Sequence, residues 1–176
     1  NAARKAMEAA GVLGQDLDLI VIGTVTPEMV FPATACFVQN MLGAVNAQAF
    51  DISAACSGFV YSLSIAEEYI KSGKYKTALV MGAETLSRIT DYEDRRSCVL
   101  FGDGAGAVIV KRSEEPKKGI LYSEMHTDGS GWQSICCQAY GSRYPANKPL
   151  EDEKLVYMFI NGREVYQTAV RRIVEL

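Results

Sequence analysis

The stretch Ala49-Phe-Asp-Ile-Ser-Ala-Ala-Cys56-Ser-Gly58-Phe59 decides the fold. Ala49 to Ile52 has strand character, and it runs without a linker into small residues and then a helix that continues to Lys71, where Ser72-Gly73 ends it. Small side chains at 53, 54, 55, 57 and 58 are what a tight strand-to-helix elbow needs, because larger ones would clash with neighbouring strands. The helix is apolar nearly all round through Ala66, and only its last turns carry Glu67, Glu68 and Lys71. Its start is therefore expected deep in the core and its end at the surface.

Upstream, Leu19-Ile-Val-Ile-Gly-Thr-Val-Thr26 is a near-continuous apolar run stopped by Pro27, the pattern of a strand buried on both faces. Pro32 opens a short helix, 33–42, with Phe37, Met41 and Leu42 near one face and Gly43 at its end. Downstream, Thr77 to Glu84 reads as a second buried strand, 105–110 as a third introduced by Phe101-Gly-Asp-Gly-Ala-Gly106, and 119–125 as a further one. Strands alternating with helices and then following one another predict an α/β fold with a mixed sheet covered by helices. Residues 128–153, rich in Gly, Ser, Pro and Asn, show no periodic element, and loops of this length are commonly functional or mobile. The chain opens inside a helical pattern closed by Gly11 and stops inside another, whose stripe is Val165, Ala169, Val170, Ile173 and Leu176. It reads as a fragment of a longer protein.

The 176 residues are 48% hydrophobic and 22% charged, with fifteen Gly and five Pro, which excludes a disordered or collagen-like chain. No run of 18 apolar residues marks a membrane span. Eighteen basic against twenty-one acidic residues, with no basic stripe, argue against nucleic acid as a partner. Five cysteines at irregular spacing, no C-x-x-C and one histidine, His126, argue for a reducing cytosol and against a structural metal site.

Chemistry centres on Cys56. At the first turn of a helix, backbone N–H groups and the positive end of the dipole favour negative charge, whether on a sulfur or on a developing oxyanion. The alternative is that Cys56 is a small core hydrophobe, the usual fate of a free cysteine. The glycines at 102, 104 and 106 suggest a nucleotide loop, but a strand follows where a dinucleotide fingerprint needs a helix; close approach of backbones is the other reading. His126 is a base in principle, yet no Asp or Asn at motif spacing orients it. Asp91-Tyr-Glu-Asp-Arg-Arg96 is a solvated loop, or an anion site through Arg95 or Arg96. Adjacent Cys136 and Cys137 cannot bridge each other without strain and read as surface thiols.

Taken in order, Phe31-Pro-Ala-Thr-Ala-Cys36, Ala49 to Phe59, Ser72-Gly-Lys-Tyr75, Ala83-Glu-Thr-Leu86, Asp94-Arg95 and Phe101 to Gly106 resemble β-ketoacyl-acyl carrier protein synthase III across essentially the whole chain. The resemblance implies the thiolase fold, two similar α/β halves, with residues 1–176 an incomplete N-terminal half whose first strands are missing. It implies that Cys56 takes an acyl group from an acyl-CoA primer, acetyl-CoA the expected one, and that malonyl-acyl carrier protein is then decarboxylated and condensed with it. The histidine and asparagine for that step belong to the C-terminal half, and His126 does not match the family's histidine. Phe31 matches the phenylalanine that crosses the homodimer interface into the partner's acyl pocket, Leu86 and Phe101 match residues lining that pocket, and Arg95 matches the arginine on the adenine end of coenzyme A. Arg96 departs from the glycine found in many relatives, and Trp132 is not at the position of the family's coenzyme A tryptophan. A cytoplasmic homodimer with no resident cofactor or metal is implied, with acyl-CoA and malonyl-acyl carrier protein as substrates.

Two other readings remain open at this point. One is a different thiolase-fold acyltransferase, such as a hydroxymethylglutaryl-CoA synthase or a secondary-metabolite synthase. The other is a catalytically incomplete product that keeps the dimer surface; a bare half-fold would expose the sheet face meant for the other half and is expected to aggregate or fold poorly.

Overall fold

A computed structural model describes residues 1–115 and 118–175. Two compact units make up the chain, Asn1–Thr85 with Asp103–Met125, and Leu86–Gly102 with His126–Leu176.

The first unit is built on a four-stranded sheet of order β2-β1-β3-β4, from β1 (Leu19–Gly23), β2 (Gln48–Ile52), β3 (Thr77–Thr85) and β4 (Asp103–Lys111). β1 runs parallel to both β2 and β3, while β4 is antiparallel to β3, which makes the sheet mixed as the sequence predicts. All five residues of β1 are buried, and the two-residue period of a strand divides them between two cores. Ile20 and Ile22 join Leu79 and Met81 beneath α1 (Ala2–Ala10) and α2 (Thr34–Met41); Leu19 and Val21 join Ala78 and Val80 beneath α3 (Gly58–Lys71). Gly11 ends α1 in the left-handed conformation, with φ of 61°.

Where the structure differs from the sequence reading, packing decides. The buried row of α2 is Ala35, Val38 and Leu42, not Phe37 and Met41; Met41 is 63% exposed. Helix α3 faces the sheet with small residues, Gly58, Ser62 and Ala66, and its larger Val60 points outward at 53% exposure. Its first residue, Gly58, is buried against the sheet and its last, Lys71, is exposed, as the composition predicts, but between them burial follows one face and takes in Glu67 while leaving Val60 open. Residues 119–125 form no strand: Leu121 and Tyr122 are exposed and no ladder partner lies alongside among the described residues. A strand is a product of pairing, and propensity alone does not supply it.

The second unit holds a short antiparallel pair, β5 (Ile135–Cys136) with β6 (Phe159–Ile160), followed by α4 (Gly162–Glu175). The pair lies partly within residues 128–153, which the sequence reads as one loop. Asp128 caps the turn Gly129–Gly131 through Ser130 N–H at 3.0 Å and meets Arg172 of α4 at 3.4 Å. The stripe expected on α4 is present but open, with Ile173 and Val174 exposed; Leu176, assigned to the same stripe, lies outside the described residues. Arg143 lies 5.5 Å above the ring of Trp132, beside a cavity of about 250 Å³. No helix among the described residues is long and apolar enough to cross a membrane.

Candidate active site

Gly23 and Ile52, the last residues of β1 and β2, stand in register with Gly82 of β3 at the carboxyl end of the parallel ladder, the edge outside which α/β folds bind ligands. Cys56 follows directly from β2. Ala55, the residue before it, has φ of 44°, a left-handed conformation that a side chain resists, and a 3-10 turn over Ala55–Ser57 then leads into α3. Ser57 N–H donates to Ala54 O at 3.1 Å, so the turn is closed by its own backbone. Cys56 itself is exposed and is absent from both core clusters of this chain. A strained strand-to-helix turn that presents a thiol to solvent is the geometry of an elbow nucleophile.

What allows the elbow is the approach of α3 to β1. A Cβ on Gly23 would lie 2.4 Å from the carbonyl carbon of Gly58, and one on Gly58 would lie 3.2 Å from Gly23 Cα. The close backbone contact is therefore between these two glycines. In the 102–106 segment, where the sequence suggests such an approach, Gly104 and Gly106 sit inside β4, and a Cβ on either would meet nothing within 4 Å among the described residues. That segment is ladder, which also removes the nucleotide-loop reading.

Two carboxyl groups that the sequence analysis gave no role hold the loop between β1 and α2. Glu84, near the end of β3, accepts from Val25 N–H at 2.9 Å, Thr26 N–H at 3.1 Å and the Thr26 hydroxyl at 2.5 Å. Thr26 Oγ1 in turn accepts from Thr85 N–H at 2.8 Å. Asp51, at the end of β2, accepts from Thr34 N–H at 2.6 Å and Ala35 N–H at 2.8 Å, at the amino end of α2. The signal for both was present in the sequence, since an acidic residue closing an apolar strand must find donors. Between the two clamps, Phe31 is 82% exposed.

In the second unit, Leu86 and Phe101 are half-buried and Arg95 is exposed, with no ion pair among the described residues. Leu86 O accepts from Thr90 Oγ1 at 2.8 Å. Arg96 is engaged with a neighbour, Nε to Asp94 Oδ1 and NH2 to Asp94 Oδ2, both at 2.9 Å. This fork is a bidentate carboxylate pair, so of the two arginines considered for anion recognition Arg95 is the one left available. His126 is exposed and Cys137 Sγ lies 3.4 Å from Val156 O.

The Arg96 fork, and after it the Arg96 backbone N–H, pull the Asp94 carboxyl down from its usual 3.8 to about 2. A depressed folded-state value means that the pair's contribution is present above the ordinary value and is lost as pH falls through about 2. In a carbon-detected NMR titration Asp94 is expected to titrate near 2, and Arg96→Gln to move its midpoint up towards 3.8. A midpoint unmoved by the substitution would show that the fork is not the cause.

The family model for 3-oxoacyl-acyl-carrier-protein synthase III matches residues 50–129, which include the elbow and the 102–106 segment. Across 97% of the chain the sequence is 49% identical to the β-ketoacyl-acyl-carrier-protein synthase III of Caldanaerobacter subterraneus, covering 51% of that protein. The chain belongs to the synthase III family. The Xanthomonas euvesicatoria protein of the same name is 60% identical over 73% of the chain, covering 39% of its own length. Among solved structures, the Aquifex aeolicus 3-oxoacyl-acyl-carrier-protein synthase III superposes with a TM-score of 0.85 at 46% identity, over 98% of this chain and 51% of that one. The priming β-ketosynthase of the R1128 polyketide pathway gives 0.83 at 35% identity, over 99% and 51%. The fold is therefore the thiolase-like α/β fold that synthase III resemblance implied. The chain spans about half the length of the curated relatives it matches.

Proposed function

We propose that this chain supplies the nucleophile of a β-ketoacyl-acyl carrier protein synthase III, which starts fatty-acid chains by condensing an acyl-CoA primer, acetyl-CoA in the first instance, with malonyl-acyl carrier protein. The observation that carries this reading is the exposed Cys56 on its strained turn at the carboxyl ends of parallel strands. In the first half-reaction the Cys56 sulfur attacks the thioester carbonyl of the primer, the bond from that carbon to the coenzyme A sulfur breaks, and the thiol proton of Cys56 leaves with coenzyme A. The product is an acyl-Cys56 thioester. Condensation then requires a histidine and an asparagine, which the resemblance places in the family's C-terminal half.

On the same reading, exposed Arg95 suits the adenine end of coenzyme A, because a planar guanidinium stacks on a base. Leu86 and Phe101 line the acyl site, and Phe31 enters it from a second copy, which makes the working form a homodimer in the cytoplasm. Coenzyme A and acyl carrier protein act as carriers of substrate, and no resident cofactor is called for.

Peptide mass spectrometry after incubation with acetyl-CoA tests the first step, with circular dichroism to verify folding. One acetyl group on the Cys56 peptide, absent from Cys56→Ser, is the expected result. A folded chain that stays unlabelled would overturn the assignment of Cys56 as a nucleophile active in this half.

A further inference from the structure

We propose that Glu84 and Asp51 are positioning residues for primer selection: together they hold residues 27–33 so that Phe31 projects in one fixed place. The inference rests on the reading that Phe31 lines the acyl site of a second copy. Its own support is the hydrogen-bond pattern of this chain. An exposed phenylalanine on a free loop would sample many directions, and each would have to be frozen out when the site forms, at a cost in conformational entropy. Here the loop is fixed at both ends before any partner arrives. At its start, Glu84 takes Val25 N–H, Thr26 N–H and the Thr26 hydroxyl, while Thr85 N–H closes the circuit on Thr26 Oγ1. At its end, Asp51 takes the N–H groups of Thr34 and Ala35, and Thr34 Oγ1 reaches back to accept from Glu28 N–H at 3.2 Å.

Both anchoring residues lie on strands, β3 and β2, so the loop inherits the rigidity of the sheet. Asp51 also stands five positions before Cys56 on the same continuous run of chain. The reference frame that fixes Phe31 is thus the one that carries the nucleophile. Met29, Val30 and Phe31 are all exposed, so no packing within the first unit's cores accounts for the clamps.

The test is a double-mutant cycle on this chain, reading the ratio of Cys56 labelling rates with acetyl-CoA and with octanoyl-CoA. Phe31→Ala is expected to shift that ratio, Glu84→Gln to shift it by about threefold or more in the same direction, and the double variant to match Phe31→Ala alone. Thermal melting and circular dichroism accompany each variant. Should Glu84→Gln lose its fold, Thr26→Val removes only the hydroxyl that bridges Thr85 and Glu84 and carries the same test. A ratio changed by Phe31→Ala but not by Glu84→Gln or Thr26→Val overturns the positioning role and leaves the reading of Phe31 standing. Additive shifts overturn it too, since Glu84 would then act elsewhere. A ratio untouched by Phe31→Ala, or a folded wild-type chain with no label at all, removes the underlying reading and this inference with it.

Discussion

Gly23→Ala is expected to destabilise the fold by about 3 kcal/mol, the upper end of what an added methyl costs in a packed interior. The new Cβ would lie 2.4 Å from the carbonyl carbon of Gly58 and 2.6 Å from its oxygen. Neither is a side chain that can swing aside. Relief requires α3 to lift from β1, which opens the core formed by Leu19, Val21, Ala66 and Ile70. Because the elbow of Cys56 is the lead-in to α3, the same lift would displace the thiol, so labelling by acetyl-CoA is expected to fall together with stability. Urea denaturation measures the first effect and mass spectrometry the second. Gly106→Ala is the control: its Cβ meets nothing within 4 Å among the described residues, and it should stay within about 0.5 kcal/mol of the parent. Equal losses at the two positions would show that the β1–α3 contact does not set the cost, because the backbone-entropy effect of Gly→Ala favours the folded state at both.

Leu79→Ala is the second large effect, an expected loss of about 3–4 kcal/mol. Leu79 is fully buried on β3, in the core beneath α1 and α2 that also contains Ile20, Ile22 and Met81. The strands around it are fixed on both sides by ladder bonds, so the cavity can close only partly. Met41→Ala removes a comparable volume from a residue that is mostly exposed and should cost little. A denaturation midpoint for Leu79→Ala close to that of Met41→Ala would contradict the placement of Leu79 in the core beneath α1 and α2.

Much of this was legible in the sequence because the signals were continuous. The apolar run from Leu19 could be nothing but a covered strand, and Gly11 and Gly73 ended their helices where they were expected to. The turn around Cys56 could be read because only small residues fill it. The face of α2 was misread because side-chain size was taken as the guide, whereas Ala35 sits against the core for lack of space. The face of α3 follows the same rule: Val60 is more apolar than Ser62, yet the serine is the one that fits the sheet. Residues 119–125 had the composition of a strand and no neighbour to pair with. Glu84 and Asp51 escaped notice because their partners are backbone N–H groups, and a sequence does not say which amides converge on a carboxyl group.

Thr85 is the last residue of β3 and Asp103 the first of β4, and the two face each other in the antiparallel ladder. Residues 86–102, which carry Leu86, Arg95 and Phe101, therefore leave the sheet and return to it at a single rung. Closing such a detour costs little more when it grows, about 0.6 kcal/mol for each doubling of length, and neither strand changes register as it does. As far as loop closure goes, the detour is a cassette whose length is free while the ladder keeps its place; what constrains its sequence is its packing in the second unit, where Met158 N–H donates to Ile89 O at 2.7 Å.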